Sequence, residues 1–262
     1  MQTVQQQAQE AGALVVEEAI GQVNFSQWPF ELITVSGTTV HALAVIIAMG
    51  AAPRRLGIAG ELEYWGRGVT PCAVCDCVFF KNKDVVIVGG GDAAIEEAIQ
   101  LASYAKTVTI LVRKDRMRAV ECLQDKLAEY SNITVLYNKQ ILAILGDGEQ
   151  VTGVQIKNVL TDTQETLSVQ GVFLAIGHNP NTELFAGQVA VNSEGYIELS
   201  SRSQMTSVEG IYAAGDVEDA EFRQAVVASA HGCQASLEAI KRLRALGLTD
   251  VIARKLEPYY YT

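Results

Sequence analysis

The sequence predicts an α/β fold built on a parallel, doubly wound sheet. Three observations carry that expectation. Residues 84–137 alternate short apolar runs with amphipathic stretches in the order strand, helix, strand, helix, strand, the signature of parallel βαβ units. The first of those strands ends in Gly89-Gly90-Gly91 and leads straight into a helical pattern. The chain has 262 residues, 49% of them hydrophobic, enough for two cores of ordinary domain size.

Taken in order, residues 2–10 read as a polar helix and residues 14–16 as a short strand. Alternation over residues 20–25, 30–35 and 38–40, with Pro29 and Gly37 between them, predicts a small antiparallel meander. Residues 43–48 are a continuous apolar run before Gly50, which suits a strand covered on both faces. Residues 51–70 hold four Gly and one Pro and mark a crossing between domains. Residues 84–88, 108–112 and 133–137 are the parallel strands, with a helix over 120–130. Residues 141–145 and 151–157 pair as a hairpin through residues 146–150, GDGEQ. A buried strand follows at 172–176. Beyond residue 180 the pattern changes to strands at 196–199 and 211–214, then a helix from about 222 to 246.

Bulk properties exclude several classes. Net charge is −10, which argues against nucleic acid as the main partner. Mean hydropathy is +0.16, yet the longest apolar run, residues 42–49, is strand-sized and too short for a membrane span. The opening MQTVQQQAQEAG has no basic segment followed by an apolar one, so it does not read as a signal peptide. The five cysteines are Cys72, Cys75, Cys77, Cys122 and Cys233. An odd count without a leader argues against a disulfide framework and places the chain in the cytoplasm.

The glycine turn has the context its chemistry requires. Gly89-x-Gly91-Asp92-x-Ala94 follows a buried strand and opens a helix, so backbone amides and the helix dipole can approach a pyrophosphate closely. A glycine-rich turn that binds nothing is the plain alternative. At the end of the second strand an acidic residue would suit NAD, and arginine the 2′-phosphate of NADP. That place holds Arg113, Lys114, Asp115, Arg116 and Arg118, which favours NADP over a merely solvated basic turn.

Cys72-Ala73-Val74-Cys75-Asp76 follows Pro71. Two thiols at this spacing at a helix start can form a disulfide, and the helix start favours a thiolate. Asp76 could carry the proton exchanged by one sulfur. Two alternatives stay open: zinc binding with Cys77, for which a fourth ligand is missing, and plain buried cysteine.

Together PCAVCD, GGGDAAIEEA, VRKDRMRA, AIGHNPNT, IYAAGDV and FRQAVVASAHGC, in this order, resemble the low-molecular-weight thioredoxin reductases of the pyridine nucleotide-disulfide oxidoreductases. AMGAAPRRLGIAGE resembles the strand closing the first flavin-domain segment. The resemblance implies two Rossmann-like, three-layer dinucleotide-binding domains, the first interrupted by the second. Residues 53–181 would bind NADPH, and residues 1–52 with 182–262 would bind FAD. Electrons would pass from NADPH through FAD to Cys72–Cys75 and on to thioredoxin or a similar dithiol protein. Cys75 would face the flavin, Cys72 attack the partner disulfide, and Asp76 donate the proton. Gly89, Gly91, Asp92, Ala94, Arg113, Lys114, Arg118, Ile176, Gly177 and His178 would line the NADPH site. Gly50, Gly215, Asp216, Val217, Arg223, Gln224 and Ala225 would line the flavin site. No metal is implied; a homodimer is.

Several positions depart from the family pattern. Cys77 stands where the family has Gly, Met49 where it has Thr, and His231 where another residue is usual. The basic motif, usually HRRxxxR, reads here through Val112, Arg113, Lys114 and Arg118, and lysine does not make arginine's bidentate contact. The family's first strand–GxGxxG–helix–strand unit is not in these 262 residues, so the flavin domain is expected to be N-terminally incomplete. A competing reading is therefore a flavin-free NADPH-binding pseudoenzyme or interaction protein of the same descent.

Overall fold

The computed structural model describes residues 2–248. The chain forms two compact units, one of Met1–Ala52 with Asn179–Thr262 and one of Pro53–His178.

The first unit opens with α1 (Gln2–Glu10) and a three-stranded antiparallel sheet of β1 (Ile20–Asn24), β2 (Phe30–Thr34) and β3 (Thr39–Ala42). β4 (Val45–Ile47) follows, then β5 (Ala51–Pro53), where the chain leaves the unit. Residues 14–16 were expected to be a strand but form none; Leu14, Val15 and Val16 are exposed, because no neighbouring strand satisfies their backbone.

The second unit holds β6 (Val69–Thr70), α2 (Ala73–Asp76), β7 (Asp84–Val88), α3 (Asp92–Ala102), β8 (Thr107–Val112), α4 (Glu121–Leu127) and β9 (Ile133–Tyr137). β10 (Lys139–Gly146), β11 (Val151–Asn158), β12 (Gln164–Ser168) and β13 (Gly171–Leu174) complete it. Its main sheet runs β6-β13-β7-β8-β9, all parallel. Alternation along β7 divides the core. Val85 and Ile87 pack with Ile95, Leu101 and Phe173 on the helix side. Val86 packs with Ile141, Val154, Val172 and Leu174 on the side covered by the β10-β11-β12 sheet. The expected hairpin is thus a three-stranded sheet, β12 having paired along the length of β11 from Gly153 to Lys157. This is a three-layer unit whose chain order reverses beside β7, the kind of switch point at which such sheets bind ligands.

The chain re-enters the first unit through β14 (His178–Pro180). There β15 (Ile211–Ala213) pairs parallel with β4 over Ile211↔Val45 to Ala213↔Ile47, and α5 (Ala225–Ala245) follows. Phe25, Phe30, Ile47, Phe185, Ile211 and Val217 share its core. Residues 196–199 are not a strand; a single bridge, Val191↔Ile197, remains there. The Asn192 side chain takes the amides of Glu194 and Tyr196 at 2.9 and 3.0 Å, which turns the chain instead of extending it. The last helix starts three residues later than expected. Asp219 accepts from the amides of Glu221, Phe222 and Arg223, and Arg223 sits at φ +47°, outside helical geometry.

Candidate functional site

In the second unit, β7 runs into the glycine turn. A Cβ at Gly89 would meet Ala175 O at 2.5 Å and Ala94 Cβ at 3.0 Å, so Gly89 and Ala94 are small because strand and helix pack closely there. Gly91 has nothing within 4 Å of a Cβ position, leaving the backbone before α3 open to a ligand. Gly91 is the helix N-cap and supplies no side chain to it. Asp92 Oδ1 accepts from the Val120 amide at 2.9 Å, which gives this residue a structural task at the start of α4.

The basic segment is held over the turn by backbone bonds. Gly90 O accepts from the amides of Arg118 at 2.6 Å and Ala119 at 3.2 Å, and Lys114 O from Asn138 N at 3.0 Å. A cavity of 510 Å³ opens there, within the usual range for small-ligand sites, with Val88, Gly89, Gly90 and Ile176 in its wall. Arg54, Arg55, Arg113, Lys114, Arg116, Arg118 and Lys139 all line it, and no acid does among the described residues. Arg55 lies 4.3 Å over the Trp65 ring, and Lys139 is paired with Glu165. Arg113, Lys114, Arg116 and Arg118 make no ion pair among the described residues. Asp115 makes no ion pair with any of them among the described residues. These residues fit a polyphosphate such as NADPH: unpaired cations, open backbone and a helix start converge on one cavity. Arg116 belongs to the expected basic turn, whereas Arg54, Arg55 and Lys139 were not among the expected site residues. Their only signal was positive charge, scarce in this chain and scattered along it. Gly177 packs beside the Arg54 side chain, its Cβ position 3.7 Å from an Arg54 nitrogen, and His178 lies in β14.

The cysteine pair sits on α2, which packs against α3. Cys72 and Cys75 are joined in a disulfide, Cα atoms 5.4 Å apart. The Cys75 amide donates to Cys72 Sγ at 3.2 Å, placing a donor where charge would gather on that sulfur. Thr70 Oγ1 donates to Asp76 Oδ2 at 2.5 Å and accepts from the Cys72 amide at 3.2 Å. Cys75 is exposed, and so are Val74, Val78 and Phe79 around it. Cys77 is buried in the core shared with Phe80 and Ile95, where Gln100 Nε2 donates to its sulfur at 3.9 Å. The third thiol is therefore a packed core residue, and no metal-ligating cluster exists among the described residues.

In the first unit, Ala48, Gly50, Gly215, Asp216, Ala225 and Gly232 line a cavity of 430 Å³. Gly215, at φ +79°, approaches α5 so closely that a Cβ would meet Ala228 Cβ at 3.0 Å. Val217 is fully buried in the core of this unit and does not line the cavity. Gln224 is the N-cap of α5 without a side-chain cap bond. His231 Nδ1 lies 2.5 Å from Glu218 Oε1, which gives the unexpected histidine a partner. Burial pushes the Glu218 carboxyl above the ordinary carboxylate range, and His231 opposes that shift. These residues fit one end of a flavin dinucleotide. Among the described residues they do not fit its pyrophosphate: the parallel sheet here has two strands, and the one glycine-rich strand–helix turn belongs to the other unit.

The profile of the pyridine nucleotide-disulphide oxidoreductases matches residues 4–232. The chain belongs to this family. Its relatives are named thioredoxin reductases. That of Rickettsia typhi is 44% identical over 245 residues, covering 93% of this chain and 79% of the relative. That of Mycolicibacterium smegmatis is 44% identical over 211 residues, 80% of this chain and 68% of the relative. Among solved structures, the thioredoxin reductase from Giardia duodenalis matches with a TM-score of 0.86 at 40% identity, over 93% of this chain and 80% of that one. The family and the close cysteine pair together make this a disulfide oxidoreductase chain with a redox-active disulfide. No helix among the described residues is long and apolar enough to cross a membrane.

Proposed function

We propose that this chain acts as an NADPH-dependent disulfide reductase whose Cys72–Cys75 pair passes electrons to thioredoxin or a similar dithiol protein in the cytoplasm. The observation that carries this reading is the disulfide on α2, packed against the helix that opens from the glycine turn and its basic cavity. The overall step is balanced: two electrons and one proton from NADPH, with one further proton, reduce the disulfide to a dithiol. The dithiol then reduces the partner by exchange. Arg113, Lys114 and Arg118 would hold the 2′-phosphate, and Gly89, Gly91 and Ala94 would let the pyrophosphate approach the α3 start. Asp76, on the turn with Cys75, would hold or deliver the proton of the leaving sulfur. The exposed Val74, Val78 and Phe79 give a protein partner an apolar surface beside the cysteine pair. A homodimer belongs to the same reading.

The test is NADPH-supported reduction of a thioredoxin, with FAD supplied, by the chain and by its Cys72→Ser and Cys75→Ser variants. Both variants should lose turnover while NADPH affinity stays unchanged; a single variant with full turnover overturns the assignment. The partial fit of the first unit to flavin favours one second reading, a flavin-free NADPH-binding protein. A colourless chain that binds NADPH and reduces nothing even with FAD added would support it.

A further inference from the structure

We propose that Thr70 is a positioning residue for the disulfide chemistry: its hydroxyl ties the Cys72 amide to the Asp76 carboxylate and so fixes that carboxylate against the cysteine pair. The proposal rests on the reading of Cys72–Cys75 as the redox pair.

Thr70 ends β6, which is paired with β13 through Val172↔Val69 and Phe173↔Thr70. It is buried, at 6% exposure. Pro71 then turns the chain to Cys72. The directions of the two bonds follow from the groups. An amide only donates, so the Cys72 N–H gives its proton to Thr70 Oγ1 at 3.2 Å. The hydroxyl's single proton is left for Asp76 Oδ2, at 2.5 Å. One hydroxyl therefore spends a lone pair on the cysteine's backbone and its proton on the carboxylate. Serine can do both; valine and alanine can do neither.

The anchoring runs from rigid to loose. Thr70 belongs to a sheet, whereas α2 has four residues and Asp76 is half-exposed. Without the bond, a carboxylate on so short a surface helix would move freely among its rotamers. With it, Asp76, Cys72 and the Cys75 amide that donates to Cys72 Sγ form one connected set. General acid–base groups need this kind of restraint, because proton transfer works only within hydrogen-bond reach.

The step concerned is reduction of the pair by a dithiol. One thiolate of the dithiol attacks one sulfur of Cys72–Cys75. The S–S bond breaks, its electron pair leaves on the other sulfur, and that sulfur takes a proton from solvent, relayed through the Asp76 carboxylate. The dithiol's second sulfur, losing its proton, then closes on the mixed disulfide and releases the second cysteine. The pair gains two electrons, and the dithiol ends as a cyclic disulfide.

The experiment follows reduction of the oxidised full-length chain by dithiothreitol across the neutral pH range. Samples are quenched in acid, differentially alkylated and read by peptide mass spectrometry, so that Cys77, Cys122 and Cys233 do not contribute. Thr70→Val should slow reduction about tenfold and change the pH profile, with NADPH affinity unchanged. Thr70→Ser should restore both rate and profile. In an Asp76→Asn background, Thr70→Val should add nothing, because the threonine acts through the carboxylate. Should Thr70→Val not fold, Thr70→Ala carries the same expectations. A wild-type rate and profile in the threonine variant overturns the proposal, as does an undiminished effect in the Asp76→Asn background. Failure of the underlying reading would show differently: the wild-type pair itself would resist reduction by dithiothreitol or exchange with thioredoxin.

Discussion

Replacing Arg113 by Ala should separate NADPH from NADH. Arg113 directly follows β8, its side chain is exposed, and it makes no ion pair among the described residues. Its truncation therefore breaks nothing in the folded chain. The loop itself is held by backbone bonds to Gly90 and Asn138, which the substitution leaves in place. One charge-assisted phosphate contact is worth about 1.5–3 kcal/mol. Solvent and salt screen an exposed cation, and Lys114, Arg116 and Arg118 still line the cavity. The lower end, about 1.5 kcal/mol, is the appropriate figure, or about a tenfold weaker Kd for NADPH. NADH, without the 2′-phosphate, should change far less. Titration calorimetry with both cofactors at low and moderate salt measures the difference, which should shrink as salt rises. Equal losses for NADPH and NADH would refute the assignment of this arginine to the 2′-phosphate.

Three further outcomes follow from the same geometry. The described residues should by themselves hold FAD no more tightly than about 10 μM, since roughly three charge-assisted pyrophosphate contacts of about 1.5–3 kcal/mol each find no donors among them; purification of the 262-residue polypeptide with one flavin per chain would contradict this. Supplying the first unit with a strand–GxGxxG–helix–strand segment should raise flavin affinity, as a visible spectrum would show. The third outcome concerns Glu218, whose carboxyl is raised by burial, with Asp219 adding to the shift and His231 opposing it. A raised carboxyl contributes stability that is full below the ordinary Glu range and is lost as pH rises through the folded value. The thermal midpoint of Glu218→Gln relative to wild type should therefore rise with pH across that window, and a falling or flat difference would show that burial does not dominate there.

What the sequence reveals is local, and what it hides is tertiary. β7, the turn and the start of α3 are readable because Asp84–Val88 is a continuous apolar run closed by three glycines. β9 is readable from the β-branched and aromatic residues of its Ile133–Tyr137 run. The cysteine pair is visible because its spacing alone sets the distance. By contrast, residues 14–16 have the composition of a strand but no partner, and residues 196–199 lose their ladder to the Asn192 turn. The cations of the cavity come from three separated stretches of chain: Arg54 and Arg55, the segment Arg113–Arg118, and Lys139. Only the crossover of the sheet brings them together. Cys77 and His231 look alike in sequence, as isolated departures from a pattern. One proves to be core packing against α3 and the other a close contact between its imidazole and the Glu218 carboxyl. Thr70 gave no signal, because its role is a bond six residues along the chain between a buried strand and a surface helix.

The most direct measurement needs no flavin. The chain is reduced chemically, freed of reductant and mixed in excess with oxidised thioredoxin, and thioredoxin thiols are counted. The expected result is one thioredoxin disulfide reduced per Cys72–Cys75 pair consumed. With Cys75→Ser, the reaction should stop at a mixed disulfide between Cys72 and thioredoxin. With Cys72→Ser, no transfer should occur. Failure of the reduced wild-type chain to reduce thioredoxin, or full transfer by either variant, would contradict the assignment of this pair as the electron donor.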